Sequence, residues 1–290
     1  MMSMMTRRQW SCLTFGGLLS ALSRPADAFG VRRPPIRGVS LGAQSYSFRD
    51  RPRDALIVAM QEAGLSNCEL WQEHVEPKDV KRDEMRRWRE TVSLDEFRAI
   101  KNKFDRAGIA ITAYNISFKD NFSDREIERG FEMTKALGAP VITSSANIGV
   151  VPRVAAVAAR YKIPVGMHNH SKIDPNEFAT PENFIAAMKA GPYIAVNLDI
   201  GHFTAANFDA VEFLREHHDR IVSLHIKDRK RNDGPNVPFG EGDTPIGPVL
   251  RMLRDRKWAI PANIEYEYEG GDTVQEVRRC LEYCGKELES

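Results

Sequence analysis

Eight short β-rich runs alternate with longer runs of helical periodicity along almost the whole chain. This alternation favours a parallel sheet with helices packed outside it, because each parallel strand needs a crossover before the next one. The predicted strands are Val39–Ser45, Asn67–Trp71, Ile109–Asn115, Val141–Ser145, Pro164–His168, Ile194–Asp199, Ile221–Ile226 and Ala262–Glu267. Eight strands, each followed by a helical stretch, are the number that a closed barrel needs. We therefore predict an α/β fold consisting of one (β/α)8 TIM barrel.

An open, doubly wound sheet is the alternative architecture for the same alternation of strands and helices. That fold would place a glycine fingerprint such as GxGxxG directly after the first strand. The residues at this position are Gln44-Ser45-Tyr46-Ser47-Phe48-Arg49, and none of them is glycine. The sequence therefore favours the closed barrel.

The first 28 residues have the three-part layout of a secretory signal. Two adjacent arginines lie within Thr6–Trp10, Leu13–Leu22 is apolar, and Ala26-Asp27-Ala28 fits the small-x-small cleavage pattern. The arginine pair indicates the twin-arginine route, and the apolar run is too short to span a bilayer of about 30 Å. A disordered basic tail is the alternative interpretation. We predict a signal peptide over residues 1–28, a mature barrel over residues 29–290 and a periplasmic or secreted protein.

The mature chain is nearly neutral. The whole chain has a net charge of +1, and residues 1–28 alone contribute +2. The remaining 262 residues therefore carry about −1. This balance provides no electrostatic footprint for nucleic acid, and no other stretch is apolar enough to span a membrane. Three cysteines remain, an odd number that indicates no disulfide framework. The expected partner is a small molecule, and the sequence is silent on oligomeric state.

Imidazoles and carboxylates gather at the predicted carboxyl ends of strands 5 to 8, where the active sites of such barrels lie. His168 ends strand 5, Asp199 ends strand 6, His225 lies on strand 7 and Glu265 lies on strand 8. Nitrogen and oxygen ligands together suit one divalent ion such as Mn²⁺, Zn²⁺, Co²⁺ or Fe²⁺, whereas oxygen ligands alone would favour Mg²⁺ or Ca²⁺. Because side chains alternate along a strand, either Glu265 or Glu267 could be the ligand from strand 8. We predict His168, Asp199, His225 and Glu265 as the metal ligands.

Three segments make the chain resemble the sugar phosphate isomerase/epimerase superfamily, also called xylose isomerase-like barrels. These segments are LDIGH (Leu198–His202), LHIKD (Leu224–Asp228) and IEYE (Ile264–Glu267), and the similarity runs from about Val39 to the C-terminus. In that family a metal ion is usually held by Glu, Asp, His and Glu on strands 5 to 8. Asp199, His225 and Glu265 match the last three. The resemblance implies a bound metal ion and a polyol or keto-sugar chelated to it.

Strand 5 departs from the family pattern. Family members commonly read Glu-Asn-His at this point, whereas this chain reads His168-Asn169-His170. The imidazole of His168 suits the same metal ions as the missing Glu. The resemblance also implies two opposed carboxylates in the family's epimerases, and one of that pair is absent here. A neutral His168 or His170 could instead act as a base near pH 7.

The retained carboxylate, Glu265, is the predicted catalytic base as well as a ligand. His170 or Lys227 is predicted to move or stabilise the second proton. Lys227 could alternatively form an ion pair with Asp228 or another neighbour. Side chains near the same rim are predicted to bind hydroxyls, to stack on a sugar face or to orient a ligand: Glu69, Trp71, His74, His202 and Glu267.

These residues favour a metal-dependent, isomerase- or epimerase-like enzyme that removes a proton beside the carbonyl of a sugar or keto-sugar. Export favours a non-phosphorylated substrate, because phosphorylated sugars are mainly intracellular. A metal-dependent lyase or hydratase of 3-keto-glycosides is the alternative, because that reaction needs a metal ion and only one base.

Two further functions compete with this interpretation. A hydrolase similar to apurinic-site endonucleases would share the spacing of Asp199 and His202, but its three zinc ions need further histidines on strands 2 and 3. The third strand ends in Thr112-Ala113-Tyr114-Asn115, without a histidine, and the neutral charge disfavours a phosphodiester polyanion. A non-catalytic carbohydrate-binding barrel would need no base linked to a metal ion.

Overall fold

The computed structural model describes residues 32–290, and its centre is a closed barrel of eight parallel strands. Each strand pairs with the next one in the chain, and β1 closes the barrel against β8 with Leu41 opposite Ala262. The strands are β1 (Leu41–Gln44), β2 (Asn67–Trp71), β3 (Ala110–Asn115), β4 (Ile142–Ser144), β5 (Val165–His168), β6 (Ile194–Asp199), β7 (Ile221–Ile226) and β8 (Ala262–Ile264). The predicted single-domain TIM barrel is confirmed.

Helices connect successive strands around the outside of the barrel. Within residues 32–290 they are α1 (Arg53–Ala63), α2 (Arg82–Thr91), α3 (Leu94–Arg106), α4 (Asp124–Ala136), α5 (Val151–Tyr161), α6 (Pro181–Met188), α7 (Ile200–Ala205), α8 (Ala210–His217), α9 (Ile246–Arg256) and α10 (Thr273–Glu289). Two connections contain an additional helix, since α2 precedes α3 after β2 and the short α7 precedes α8 after β6.

Local capping signals set where several helices begin. The Ser123 hydroxyl accepts the backbone N–H of Glu126, while the Glu126 carboxylate accepts the N–H of Ser123, so that α4 begins with a capping box. The start of α6 has the same reciprocal arrangement between Thr180 and Asn183, followed by a proline at the first helical position. These hydrogen bonds satisfy N–H groups that have no partner within the helix.

The apolar core fills the layer between the strands and the helices. Phe178, Phe184, Phe203 and Phe213 form a chain of ring contacts in this layer, with centroids 5.2–6.5 Å apart. Aromatic pairs at such distances add to the stabilisation that comes from burial alone. These rings pack in the layer outside β5 and β6. The carboxyl ends of these two strands carry His168 and Asp199.

The eighth strand is shorter than the predicted Ala262–Glu267, because a side chain takes over its hydrogen bonding. The N–H of Glu265 still donates to the carbonyl of Ile226 at 3.0 Å, but the N–H of Tyr266 donates to the Ser47 hydroxyl at 2.9 Å. The same hydroxyl donates to the carbonyl of Ile264. Glu265 and Glu267 therefore lie on a segment just beyond β8.

Within residues 32–290, no helix combines the length and the apolar character that crossing a membrane requires. The predicted signal peptide over residues 1–28 lies outside the described residues.

Candidate metal centre

A polar cavity of about 310 Å³ opens at the carboxyl ends of the strands. All eight strands, or the segments directly following them, contribute to its lining: Gln44, Tyr46, Trp71, Asn115, Ser117, Ser145, His168, His170, His202, His225, Glu265 and Glu267. This is the end of a TIM barrel at which active sites lie. The cavity is therefore the candidate functional site.

His168, Asp199, His225 and Glu265 lie together, and we call them the four-residue cluster. One potential ligand atom from each residue lies within 4.8 Å of the others, and all four residues are buried. Strand register brings them together, because Asp199 is paired with His225 across β6 and β7. Glu265 immediately follows Ile264, which is paired with Ile226 on β7. The sequence correctly predicted that these four side chains meet.

Hydrogen bonds to its backbone and to one of its carboxylate oxygens orient Asp199. Its Oδ1 accepts the backbone N–H of His202 at 2.7 Å, and the Asn169 side chain bonds to both the N–H and the carbonyl of Asp199. Within residues 32–290, neither Asp199 Oδ2 nor His168 Nδ1 makes a hydrogen bond, although both atoms are buried and the ammonium group of Lys227 lies 3.2 Å from Asp199 Oδ2. Buried polar atoms without partners are costly, and both atoms can offer a lone pair. The cluster thus fits a divalent ion that accepts mixed nitrogen and oxygen ligands.

The protonation tendencies of the cluster depend on burial and on its neighbours. Burial, reinforced by the charge of His225, keeps the pKa of His168 well below its usual value, so this ring is neutral and available as a ligand. Burial raises the pKa of the Asp199 carboxyl to about 6, although Lys227 opposes this shift. Burial would also raise the pKa of Glu265, but Lys227 and His225 outweigh it and hold that pKa well below the usual range.

Lys227 is buried among three carboxylates rather than paired with Asp228. Its Nζ lies 3.2 Å from Asp199, 2.9 Å from Glu265 and 2.6 Å from Glu267. Burial would lower the pKa of Lys227, but these carboxylates raise it above its ordinary value. The ammonium group therefore holds Glu265 and Glu267 in place. Asp228 instead accepts backbone N–H groups of the loop after β7 (Gly240, Gly242 and Thr244).

Besides Glu265, four of the residues predicted to contact substrate or move a proton reach the cavity: Trp71, His170, His202 and Glu267. His170 is partly exposed, and desolvation together with the charge of Lys227 lowers its pKa, so that its ring is neutral near pH 7. His202 lies between two cations, with Nε2 2.9 Å from Lys227 Nζ and Nδ1 2.7 Å from an Arg229 nitrogen.

Glu69 and His74 do not line the cavity, in contrast to their predicted role in binding hydroxyls. Glu69 is fully buried, and protein donors surround both of its carboxylate oxygens. The His74 ring is also buried, with Nδ1 2.9 Å from the Ser45 hydroxyl and Nε2 3.2 Å from the Arg51 carbonyl. Its edge-on contact with Trp71 supports one wall of the cavity from behind.

Sequence reasoning missed the uncharged half of the site. Gln44, Asn115, Ser117 and Ser145 line the cavity opposite strands 5 to 8. Their only signal is their position at the ends of β1, β3 and β4, and amides and hydroxyls are common there without any function. Arg229 was also missed, although it joins two loops of the rim by donating to the Ser171 hydroxyl at 2.7 Å and contacting His202.

The site can therefore hold a cation on one side and offer amides, hydroxyls and neutral imidazoles on the other. A small polyhydroxylated molecule needs such neutral donors and acceptors for its oxygens. A carboxylate directly beside the cation position, Glu265, can accept a proton.

Comparisons with known proteins agree with this architecture. Among solved structures, the chain is similar to a sugar phosphate isomerase/epimerase from Parabacteroides distasonis ATCC 8503, with 17% identity, a TM-score of 0.62 and coverage of 85% of this chain and 95% of that one. It is also similar to a 3-keto-D-glucoside 4-epimerase from E. coli, with 15% identity, a TM-score of 0.62 and coverage of 85% and 98%. A probable 3-DHS dehydratase from Bacillus anthracis has 14% identity, a TM-score of 0.63 and coverage of 84% and 98%. Identities this low show the fold alone.

Curated protein sequences provide no significant match to the chain. A family model described as a xylose isomerase-like TIM barrel matches residues 57–284, which is most of the chain. The match includes every member of the four-residue cluster and seven of the eight strands. The chain therefore belongs to the xylose isomerase-like TIM barrel family.

Proposed function

We propose that the protein is a metal-dependent enzyme that removes a proton from the carbon beside the carbonyl of a non-phosphorylated sugar or keto-sugar. The observation that carries this proposal is the buried four-residue cluster at the polar cavity, in which two lone-pair-bearing atoms make no hydrogen bond within residues 32–290. Mn²⁺, Zn²⁺, Co²⁺ and Fe²⁺ are the ions that such a ligand set suits.

The cavity supports a small carbohydrate as the substrate. Its volume of about 310 Å³ lies at the lower end of the range of small-molecule sites. Two of the structurally similar proteins are named as acting on sugars, one on a sugar phosphate and one on a 3-keto-glucoside. Trp71 offers an aromatic edge or face at the rim, where it packs edge-on against Tyr46.

The charges of the lining favour a substrate without phosphate. None of the cavity-lining residues within the described chain is lysine or arginine, the residues that usually bind phosphate. Lys227 is nearby, but three carboxylates already surround its ammonium group. A phosphate would meet Glu265 and Glu267 instead, at a cost in repulsion.

A bound divalent ion would supply Lewis-acid stabilisation of the oxygen beside the reacting carbon. Glu265 is the proposed base, because it lines the cavity and its carboxylate is kept ionised by Lys227 and His225. His170 is the proposed site for the second proton, since its ring is neutral and opens to the cavity. Lys227 holds the base in position and is itself paired with Glu267, and His202 lies beside Lys227.

Elimination from a 3-keto-glycoside is the second candidate reaction. An epimerase working with two opposed carboxylates needs one on each face of the substrate carbon, and His168 occupies the position on β5 where the second would stand. One base suffices for elimination, since Glu265 can take the proton while the neutral ring of His170 relays one to the leaving oxygen, donating from one nitrogen as it accepts a proton from solvent on the other. A dehydratase among the similar structures is consistent with this reaction.

The two other candidate functions have less support. The described residues contain one cluster of the kind that could hold a metal ion, rather than the several sites that a three-zinc hydrolase requires. A non-catalytic sugar-binding barrel would have no use for a buried carboxylate beside the cation position.

The discriminating experiment incubates the metal-loaded protein with free ketoses and with 3-keto-glycosides in D₂O. Deuterium at the carbon beside the carbonyl would establish epimerisation if that centre is inverted and isomerisation if the carbonyl has moved, and loss of the glycosidic group with formation of an unsaturated ketone would establish elimination. Turnover that yields neither deuterium nor an unsaturated ketone would exclude proton abstraction and favour a hydride shift or hydrolysis. Binding without any turnover would favour the non-catalytic barrel.

We also propose that the protein is exported to the periplasm or secreted, on the basis of Arg7-Arg8 and Ala26-Asp27-Ala28. N-terminal sequencing of the protein from its native host should then begin at Phe29. An intact chain recovered from the cytoplasm would contradict export.

A further inference from the structure

The centre of the barrel contains one buried carboxylate, Glu69 on β2, in a layer that apolar side chains usually fill. Potential donors from five strands surround it. They are Thr143 at 2.7 Å, His225 at 2.8 Å, Ser223 at 2.9 Å, Asn263 at 3.2 Å, and Asn115 and Asn197 at 3.4 Å. A buried charge is tolerated only when it is paired and hydrogen-bonded in this way.

The imidazole of His225 connects this carboxylate to the four-residue cluster. Its Nε2 lies 2.8 Å from Glu69 Oε1 on one side. On the other side, its Nδ1 lies 3.0 Å from Glu265 Oε2 and 3.9 Å from Asp199 Oδ2. Nδ1 is therefore the nitrogen that faces the other members of the cluster.

We propose that Glu69 is a positioning residue that fixes the tautomer of His225 for metal binding, an inference that rests on the metal centre of the proposed function. Carboxylates only accept hydrogen bonds, so without an ion His225 donates from Nε2 to Glu69 and from Nδ1 to Glu265 and carries a proton on each nitrogen. A divalent ion at the cluster would displace the Nδ1 proton, and Glu69 would keep the remaining proton on Nε2, so that the lone pair of Nδ1 faces the ion. Metal-ligating histidines are commonly oriented in this way by a carboxylate on their other nitrogen.

The Asn197 amide is compatible with this assignment. Its Nδ2 lies 3.0 Å from His225 Nε2, an arrangement that would place two donors face to face. Its Oδ1 has no hydrogen-bond partner within residues 32–290. Exchanging the nitrogen and oxygen of this amide, which are interchangeable in shape, presents an acceptor to the same Nε2–H, while Glu69 loses only its long contact of 3.4 Å with Asn197 Nδ2 and keeps its shorter ones. Both neighbours then accept from Nε2.

The substitution Glu69→Gln tests the role because it keeps the shape but reverses part of the hydrogen bonding. The amide of the variant can donate to His225 Nε2, which favours the tautomer with its proton on Nδ1. That tautomer cannot bind a metal ion through Nδ1. We expect Zn²⁺ affinity to fall by about 10–100-fold, the usual effect of losing such an outer partner.

The experiment measures the Zn²⁺ dissociation constant by competition with a chelator and identifies the protonated nitrogen of His225 by ¹⁵N NMR of the zinc-loaded protein. In the wild type, zinc should be on Nδ1 and the proton on Nε2. The matched control is Glu126→Gln, which alters a buried carboxylate that accepts from Arg82 on the outer helices. It should leave Zn²⁺ affinity unchanged.

Each outcome separates the role of Glu69 from the existence of the site. A wild type that binds no zinc would overturn the proposed metal centre itself. A wild type that binds zinc through Nε2, or a Glu69→Gln variant with wild-type affinity, would overturn the role of Glu69 alone. If Glu69→Gln does not fold, Thr143→Val removes one donor that holds the Glu69 carboxylate in place and should weaken zinc binding by about 10-fold, the effect of one hydrogen bond to a charged group. Unchanged affinity in that variant would equally contradict the proposal.

Discussion

Two buried groups of charged residues in this protein use similar chemistry but differ in how their lone pairs are satisfied. One is the four-residue cluster with Lys227. The other, which we call the outer ion-pair cluster, joins α2 to α4 and to the segment after β2, and it consists of Glu76, Arg82, Arg89 and Glu126. In the outer cluster, Arg89 donates to both oxygens of Glu76 at 2.7–2.8 Å, and Arg82 donates to both oxygens of Glu126 at 2.6–2.8 Å.

The difference lies in the kind of atom that is left without a partner. Within residues 32–290, the unsatisfied side-chain atom of the outer cluster is a donor, Arg82 Nε. Among the same described residues, the four-residue cluster leaves an imidazole nitrogen, His168 Nδ1, and a carboxylate oxygen, Asp199 Oδ2, without a hydrogen bond, although Lys227 Nζ lies 3.2 Å from that oxygen. Free lone pairs that converge are what a cation requires, whereas fork-like arginine–carboxylate pairs are complete in themselves. Burial of charge alone therefore does not distinguish a functional site from a structural one.

The largest expected effect concerns the base in the four-residue cluster. Glu265→Gln keeps most of the side-chain shape but removes the proton acceptor, so turnover should fall by at least about 10²-fold and by as much as 10⁴-fold. A weakened metal site would add to this loss. The measurement is turnover at saturating metal with the substrate identified by the D₂O experiment. Wild-type turnover in a fully loaded variant would assign the base elsewhere.

The outer ion-pair cluster should respond in stability and not in metal binding. Arg89→Met leaves Glu76 buried without its partner and should lower the free energy of unfolding by about 3–5 kcal/mol. Replacing both residues, in Arg89→Met with Glu76→Met, should recover most of that loss because no charge is left unpaired. Denaturant unfolding and zinc titration on the same samples provide the two readouts. If zinc affinity falls together with stability in the folded variant, the outer ion-pair cluster also contributes to metal binding, which would contradict the proposed difference between the two clusters.

A smaller effect is expected at His74, behind the cavity wall. Burial, opposed by the hydrogen bond to the Arg51 carbonyl and aided by the charges of Lys78 and Arg53, lowers the pKa of this ring to about 4. An unfolded histidine has a pKa of about 6.5. Between about pH 6.5 and pH 4, His74 is therefore protonated in the unfolded chain but neutral in the folded one. Stability should therefore be complete above pH 6.5 and decrease as the pH falls, by about 3 kcal/mol at pH 4.

His74→Asn removes this titration while keeping a polar atom near the Ser45 hydroxyl. The unfolding free energy of the variant should depend less on pH than that of the wild type across the same window. Parallel pH profiles for the two proteins would show that His74 is protonated in the folded state as readily as in the unfolded one.

The barrel and the four-residue cluster could be predicted because each depends on a repeating local pattern. Eight strand–helix units define the topology, and residues at the carboxyl ends of adjacent strands must lie close together. His168, Asp199, His225 and Glu265 therefore follow from their positions in the sequence. The end of β8 could not be predicted, since it depends on the Ser47 hydroxyl from the far end of the chain.

The roles of Glu69 and His74 could not be read from strand position either. The alternation of side chains along β2 indicates which residues point into the barrel, but it does not indicate how deep in the barrel each of them lies. The depth of the Glu69 carboxylate along the barrel axis decides whether it contacts solvent or protein donors. That depth follows from the stagger of the strands, including the register shift between β2 and β3 at Cys68 and Glu69. Single-residue differences in stagger leave no local trace in the sequence.

The most direct test of the central claim is a count of metal ions in the purified, zinc-reloaded protein by elemental analysis, with one substitution from each cluster. The wild type should hold about one ion per chain, in line with one mixed nitrogen and oxygen site. Asp199→Asn should bind zinc more than about 100-fold more weakly, because it removes a direct ligand and not only an outer partner. Glu76→Gln, from the outer ion-pair cluster, should retain the wild-type ion. A folded wild type without a bound ion, or a folded Asp199→Asn variant with full occupancy, would contradict the account.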